Sequence, residues 1–223
     1  MIIDLTHTIC PEMPVYPGTV SPTLETAATI SRNGWRETRL SISSHTGTHM
    51  DAPAHILPEG STLDQLPPSQ FYGRAVALDV THLEGGVITA EYLRSQNGLL
   101  RTADFVLFYT GWEKRWNTDA FFGDTFPVLD QEAAKYLVSC GLKGVGTDAF
   151  GVDRIADGDF PAHKILLQGG LVILENLCLK KVVGRTDFML MALPMKYEHA
   201  DGAPVRAVAQ LGGDTAEKEM EQA

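Results

Sequence analysis

Cysteine is scarce in this chain. Its 223 residues include only three cysteines, at positions 10, 140 and 178, and no two of them have the C-x-x-C spacing of a metal or redox motif. This pattern excludes a disulfide framework and a cysteine-ligated zinc module. An odd number of isolated thiols is typical of a reducing compartment. We therefore predict a cytoplasmic protein.

Basic charge and long apolar runs are scarce as well. The chain has 18 lysines and arginines against 28 acidic residues, for a formal net charge of -10. Nucleic acids and anionic membrane surfaces both bind basic patches, so neither is expected as a partner. The apolar runs are much shorter than the ~20 residues of a membrane span. The N-terminus carries Asp4, His7 and Glu12 where a signal peptide needs an apolar core.

No internal repeat or low-complexity linker divides the sequence. Its hydrophobic content of 44% is enough for one sizeable core. We therefore predict a single domain over residues 1–211. Residues 212–223 carry four acidic residues, one lysine and no aromatic residue, which predicts an acidic, disordered tail.

Short strands that alternate with a few helices predict an α/β fold with a mixed sheet. Residues 38–43 alternate polar and apolar side chains, as a half-buried strand does. Four further segments are mostly apolar and predict buried strands: 75–80, 104–109, 171–174 and 187–193. Residues 143–147 read as another strand. Thr89 and Asp130 are candidate helix caps, and a third helix is predicted to begin near Pro161, with His163 in its first turn.

Potential metal ligands are concentrated in residues 44–55, which hold three of the seven histidines and one aspartate. Neutral imidazole and carboxylate are ligands for zinc, manganese and non-haem iron. Gly47, between two threonines, favours a turn over a helix, and it allows His45 to approach the next residues. In extended chain His49 and Asp51 point to the same side. We therefore predict that His45, His49 and Asp51 bind one metal ion.

His55 has a different predicted role. It follows Pro53, which redirects the chain, so it is better placed as a catalytic base than as a fourth ligand. Three protein ligands with an open position are typical of a catalytic metal site. A serine nucleophile is disfavoured, because the chain has no Gly-x-Ser-x-Gly motif.

The pattern His-x-Gly-Thr-His-x-Asp-x-x-x-His resembles the cyclase family of metal-dependent hydrolases, which includes bacterial kynurenine formamidase and isatin hydrolase. Other segments resemble family landmarks in the same order along nearly the whole chain: 3–7, 14–18, 146–148, 161–163, 174–177 and 203–207. The resemblance implies a swivelling β/β/α core. It also implies a homodimer or homotetramer in which the loop around Tyr16 reaches toward a neighbouring subunit.

The resemblance further implies a second metal ion. In formamidases of this family the aspartate of the first motif bridges two metals, so Asp51 would share a second ion with His163 and Glu175. Zinc is the favoured metal and manganese the alternative, with one or two ions bound. The isatin hydrolase branch uses a single manganese without the full second set, and Glu175 therefore favours the two-ion arrangement.

By resemblance, the reaction is hydrolysis of an aryl formamide such as N-formylkynurenine, with release of formate. Tyr16 and Trp35 are candidate contacts for the aromatic ring. Related formamidases carry Pro-x-Trp-Pro-Gly-Asp where this chain has Tyr16 and Thr19, which leaves the substrate open. Two alternatives are a hydrolase that opens a cyclic amide or lactone, and a non-catalytic metal-binding or sensing module.

Two residues near these motifs have open roles. Asp148 follows a predicted strand, where it could orient a ligand histidine or cap the next turn. His7 is expected to be a hydrogen-bonded structural residue.

Overall fold

A computed structural model describes residues 1–83, 86–123 and 125–212. The predicted tail lies outside the described residues, apart from Gly212. The strands are β1 (Ile2–Asp4), β2 (Thr23–Ala28), β3 (Glu37–Ser41), β4 (His49–Asp51), β5 (Tyr72–Asp79), β6 (Val87–Ile88), β7 (Phe105–Tyr109), β8 (Val128–Leu129), β9 (Gly144–Thr147), β10 (Val172–Glu175), β11 (Phe188–Pro194) and β12 (Gly202–Gln210). The helices are α1 (Ile30–Asn33), α2 (Ala90–Ser95), α3 (Asn97–Leu100), α4 (Gln131–Ser139) and α5 (Pro161–Gln168).

The main sheet has the strand order β1-β12-β11-β5-β7-β9-β10-β4, and β12 also pairs with β4. This extra pairing closes seven strands into a barrel-like ring, with β1 beside β12. The pairs β5–β7, β7–β9 and β9–β10 are parallel, and the other pairs of the ring are antiparallel. The predicted α/β class with a mixed sheet is confirmed.

Central strands of the ring are buried on both faces, as their apolar runs predict. In β7, Leu107 belongs to the core inside the ring, whereas its neighbours Val106 and Phe108 pack in the core beneath the helices. Strand β10 repeats this alternation with Leu174 and Ile173. The period-2 geometry of a strand therefore divides the apolar residues between two cores.

The predicted helix starts are confirmed by their caps. The Thr89 side chain accepts a hydrogen bond from the amide of Tyr92, and Asp130 accepts one from the amide of Ala133. These bonds satisfy amides that have no partner inside the helix. Helix α5 begins at Pro161, where a missing N–H carries no cost.

The hairpin of β2 and β3 departs from the prediction of a half-buried strand over residues 38–43. The strand is Glu37–Ser41, and all five of its residues are exposed. Among the described residues, β2 and β3 form a separate two-stranded sheet and do not extend the ring. The alternating pattern is correct, but the described residues cover neither face of β3, and in β2 they bury only Ala28.

Candidate metal centre and active-site pocket

Strand β4 presents two of the predicted ligands on one side. Met50 is completely buried in the core inside the ring, so His49 and Asp51 point to the opposite face. In the antiparallel register of β4 and β10, Glu175 lies directly opposite His49. Cross-strand neighbours of this kind have Cβ atoms within about 5.5 Å of each other. The register thus joins the first motif to a glutamate 126 positions after His49.

The turn before β4 fixes the orientation of His49. Gly47 has a φ of +66°, a conformation that favours glycine, and its carbonyl lies 2.8 Å from Nδ1 of His49. The Asn176 side chain donates to the same carbonyl at 2.9 Å. With Nδ1 held in this way, Nε2 of His49 lies 3.3 Å from Asp51 and 3.4 Å from Glu175.

The start of α5 orients His163. The Asp153 carboxylate accepts hydrogen bonds from the amides of Ala162 and His163, at 2.8 and 2.9 Å. The same carboxylate lies 2.6 Å from Nδ1 of His163. Nε2 of His163 therefore points to the carboxylates of Glu175, at 3.1 Å, and Asp51, at 3.8 Å. A carboxylate on the outer nitrogen is a common way to orient a metal-binding histidine.

His45 is held between two aspartates. Its Nδ1 lies 2.8 Å from Asp51 and its Nε2 lies 3.1 Å from Asp201. A Cβ atom at Gly202 would lie only 2.4 Å from the His45 ring, so glycine is required for this approach. Each of the three histidines that face Asp51 thus has its other nitrogen bound to an outer acceptor.

The sequence did not identify two of these acceptors, Asp153 and Asp201. Asp153 is ten positions before His163, and Asp201 is 156 positions after His45. Neither spacing belongs to a local motif. Only the folded chain brings these carboxylates to the imidazoles.

The five predicted ligands converge. One cluster contains His45, His49 and Asp51, and a second contains Asp51, His163 and Glu175, with the potential ligand atoms of each cluster within 4.8 Å of one another. Asp51 belongs to both. A third cluster of the same size joins His45 to His55 and Asp201. Nitrogen and oxygen donors in this number suit a divalent metal ion.

The electrostatics of the cluster require positive charge. Burial favours the neutral form of Asp51, yet hydrogen bonds and charges from His45 and His49 hold the pKa of its carboxyl well below 3.8. Burial opposes protonation of His49, but Asp51 and Glu175 raise its pKa to about 10. Burial also opposes protonation of His163, but hydrogen bonds to Asp153 and Glu175 raise its pKa to about 10. A divalent cation can replace these protons, and the residues therefore fit a metal.

His55 lies beside this centre at the pocket rim. It ends a short 3₁₀ turn at Pro53–His55, and the centroid of its ring is 4.0 Å from that of His45. The residue is exposed, and it is absent from the two clusters that contain Asp51. The surrounding protein still removes water from part of the ring. This desolvation lowers the pKa of His55, although the negative charge of Asp51 opposes the shift. A neutral imidazole at neutral pH can accept a proton.

A pocket of about 330 Å³ opens above the centre. His45, His49, His163 and Glu175 are part of its lining. Its apolar wall is formed mainly by aromatic rings: Tyr16, Phe121, Phe122, Phe150 and Phe160. The Tyr16 ring is 6.1 Å from Phe122 in an edge-to-face arrangement. A pocket of this size, with an aromatic wall and polar side chains supplied by the ligand cluster, suits a small aromatic molecule.

The structure separates the two candidate aromatic contacts. Tyr16 lines the pocket of its own chain, whereas Trp35 does not. Trp35 lies in the loop between α1 and β3, and 59% of its surface is exposed. The described pocket therefore does not include the predicted contact of Trp35 with the substrate.

Asp148 caps a turn and does not orient a histidine. Its carboxylate accepts hydrogen bonds from the amide and the hydroxyl of Thr110, at 2.7 and 2.6 Å, and from the amide of Glu113. Burial raises the pKa of Asp148 to about 6, although these donors oppose the shift. His7 belongs to none of the three clusters of potential metal ligands. Its ring stacks on Trp116 at 3.9 Å, and its backbone amide donates to the side chain of Thr48.

We expect Asp148→Ala to lower the free energy of unfolding by about 2–4 kcal/mol, because the variant leaves buried donors of Thr110 without an acceptor. Asp79→Ala is a matched control, since Asp79 makes the same pair of bonds to Thr81 at an exposed site. There the loss should be below about 1 kcal/mol. Urea unfolding measures both. Equal losses in the two variants, or loss of bound metal in Asp148→Ala, would contradict this assignment.

A carboxylate shared by two clusters of histidine and acidic residues, beneath an aromatic pocket, defines a metal-dependent hydrolase. Known proteins agree with this class. The Cyclase family model matches residues 3–154. Kynurenine formamidase from Salinibacter ruber is 35% identical over 218 residues, which cover 96% of this chain and 99% of the relative. The chain belongs to the cyclase family.

Solved structures show the same likeness. Isatin hydrolase A from Labrenzia aggregata, bound to benzyl benzoate, is 28% identical with a TM-score of 0.82 over 94% of this chain and 93% of that one. A structure described as a potential metal-dependent hydrolase with cyclase activity is 33% identical, with a TM-score of 0.76 over 94% and 96% of the two chains. Over residues 1–83, 86–123 and 125–212, no helix is long and apolar enough to cross a membrane.

Proposed function

We propose that this protein hydrolyses the amide bond of an aryl formamide, such as N-formylkynurenine, to formate and an arylamine. One observation carries the proposal: five histidine and acidic side chains converge, and four of them, His45, His49, His163 and Glu175, line a pocket whose apolar wall is mainly aromatic. The likeness to kynurenine formamidases over nearly the full length of both chains supports the formamide. A curated kynurenine formamidase from Geobacillus thermodenitrificans, 32% identical over 95% of this chain, supports it too.

We propose that His45, His49 and Asp51 hold one divalent ion, and that Asp51, His163 and Glu175 hold a second. Zinc is favoured because imidazole is one of its preferred ligands. Manganese is the alternative because carboxylates suit it. A metal in this site supplies Lewis acidity, which activates water and polarises a carbonyl group at neutral pH. The outer bonds to Gly47, Asp153 and Asp201 keep the three imidazoles oriented for this task.

His55 is the proposed proton carrier. Its ring lies beside His45 on the pocket wall, outside the two clusters that share Asp51. As a neutral imidazole it accepts a proton from the attacking water while the new C–O bond forms. It then gives this proton to the leaving nitrogen while the C–N bond breaks. Tyr16, Phe122 and Phe150 would hold the aromatic ring and exclude water from that side.

A second candidate reaction is hydrolytic opening of a cyclic amide or lactone. The likeness to isatin hydrolase A favours it, because that protein shares the fold and 28% of its sequence. The products separate the two reactions, since ring opening releases no formate. A purely metal-binding or sensing module is disfavoured, because it has no need of His55 beside the metal ligands.

We expect Glu175→Gln to lose one metal equivalent and keep the other. Glu175 is within 3.1 Å of His163 and belongs to the second cluster alone, and a neutral amide is a weak ligand. Elemental analysis of the purified variant gives the stoichiometry. Glu132→Gln, at an exposed glutamate paired with Lys135, is the control and should match the wild type. Retention of two equivalents, or loss of both, would show that the ligands are assigned incorrectly.

We also propose a cytoplasmic location and a homodimeric or homotetrameric assembly. The three cysteines are free, which supports a reducing compartment. The exposed hairpin of β2 and β3 supports association, because a two-stranded hairpin is marginally stable unless another surface covers it.

A further inference from the structure

Asn176 lies between the candidate metal ligands and the pocket wall. It follows Glu175 at the end of β10, only 7% of its surface is exposed, and it lines the pocket. Its φ is +56°, a left-handed conformation that asparagine adopts more readily than most residues. The backbone therefore places this side chain directly beside a predicted metal ligand.

Three of the four polar groups of Asn176 have partners. Its backbone amide donates to the carbonyl of Ala149 at 2.9 Å, and its backbone carbonyl accepts a hydrogen bond from the hydroxyl of Thr48 at 2.6 Å. Its side-chain NH2 group donates to the carbonyl of Gly47 at 2.9 Å. The fourth group, Oδ1, is buried and accepts no hydrogen bond from the described residues. The side chain thus offers one free acceptor.

The contact with Gly47 decides which end of the amide is free. A peptide carbonyl can only accept, so the NH2 group of Asn176 faces it and Oδ1 points away from it. Turning the amide over would bring two oxygens together at Gly47. Both residues line the pocket, and the side chain therefore lies along its wall. The unpartnered atom at this wall is an acceptor and not a donor.

A buried acceptor without a partner costs free energy until a donor reaches it, and such atoms are rare in folded proteins. The carboxylates of Asp153 and Glu175, which also line the pocket, already face His163. Oδ1 of Asn176 has no such partner. A ligand that places an N–H group beside it gains a hydrogen bond that a ligand without this donor cannot make.

We propose that Oδ1 of Asn176 accepts a hydrogen bond from the N–H group of the scissile amide, and that this contact selects amides that carry an N–H over esters and lactones. The inference deepens the proposed function and rests on it. An aryl formamide has its carbonyl at the metal ligands and its ring against the aromatic wall, and its single N–H lies between these two ends. An ester has an oxygen there, whose lone pairs would face Oδ1.

The contact also fits the proton transfer assigned to His55. When the oxygen of water bonds to the formyl carbon, the amide nitrogen loses its conjugation with the carbonyl and gains a lone pair. With the N–H held by Asn176, this lone pair can accept the proton that His55 carries. The C–N bond then breaks. The arylamine leaves with its original hydrogen and the proton from water, and formate keeps the oxygen of that water.

Two substrates that differ at the scissile atom test the contact. Formanilide has an N–H group where phenyl formate has an oxygen. Asn176→Gly removes the acceptor, and glycine adopts a positive φ without strain. We expect the ratio of kcat/KM for formanilide to kcat/KM for phenyl formate to fall by about 10–100-fold in this variant. Any effect that passes through Gly47 and His49 acts on both substrates alike, so the ratio isolates the N–H contact.

Asn117→Gly is the matched control. Asn117 also has a positive φ, of +61°, but it is exposed and does not line the pocket. The variant should keep the wild-type ratio, and metal content should match the wild type in both variants. An unchanged ratio in Asn176→Gly would overturn the proposal. Loss of bound metal in Asn176→Gly would overturn it too, because Asn176 would then be a metal ligand.

A binding comparison separates this inference from the proposed function. The unreactive ligands 2-oxindole and 2-indanone share one shape, and the first has N–H where the second has CH2 beside the carbonyl. Isothermal titration calorimetry on the metal-loaded wild type should show about 10-fold tighter binding of 2-oxindole, and Asn176→Gly should reduce this preference below about 3-fold. If the wild type released no formate, the proposed function would fail, while this preference would still decide the role of Asn176. Equal affinities of the wild type for the two ligands would refute that role.

Discussion

Asp51→Asn should reduce kcat/KM by about 10⁴-fold or more and remove most bound metal, which is the largest effect we expect from any single substitution. Asp51 is the residue shared by the two clusters, and it lies 2.8, 3.3 and 3.8 Å from His45, His49 and His163. An amide keeps the volume of the side chain but not its charge. Both metal positions therefore lose a ligand together.

Elemental analysis and formate release measure the two effects of Asp51→Asn. Asp187→Asn is the control, because Asp187 is exposed and pairs with the exposed Arg74 at 3.1 Å. It should match the wild type in both assays. A variant at position 51 that keeps two metal equivalents, or keeps more than about a hundredth of the activity, would contradict the bridging role.

His55→Ala should lower kcat by about 10²–10⁴-fold, the usual range for a lost general acid or base, while metal content stays near that of the wild type. The reason is positional. His55 reaches the pocket beside His45 but lies outside the two clusters that share Asp51. The effect should shrink for a formanilide with an electron-withdrawing group, whose leaving amine needs less protonation.

The metal content of His55→Ala separates a base from a ligand. His45 and Asp201 form a cluster with His55, so ligation by His55 is the competing assignment. If metal content and activity fall together, His55 is a metal ligand, and the roles within the motif from His45 to His55 must be reassigned. His82→Ala is a suitable control, because His82 contacts Tyr92 and does not line the active-site pocket.

Local sequence was sufficient to predict much of the fold. Thr89, Asp130 and Pro161 act within a few residues of themselves, so their helices could be located without a structure. The apolar runs in β7 and β10 likewise report burial on both faces. The closure of the ring through β4 and β12 was not predictable, because it depends on pairings between strands that are far apart in sequence.

The candidate site divides in the same way. The loop from His45 to His55 could be recognised because its ligands are close in sequence. Asp153 and Asp201 could not, since each meets its imidazole only through the packing of separate elements. Trp35 shows the opposite problem, because the expected aryl substrate suggested an aromatic contact, yet Trp35 is exposed and does not line the described pocket.

The most direct test combines metal loading with product analysis. The protein is stripped with a chelator and then reconstituted with zinc or manganese. It is next given N-formylkynurenine, and formate and bound metal are measured at each stage. We expect negligible formate from the stripped protein and recovery of activity as metal binds, up to two equivalents per chain. Formate release at full rate from metal-free protein, or no formate from fully loaded protein, would contradict the proposed function.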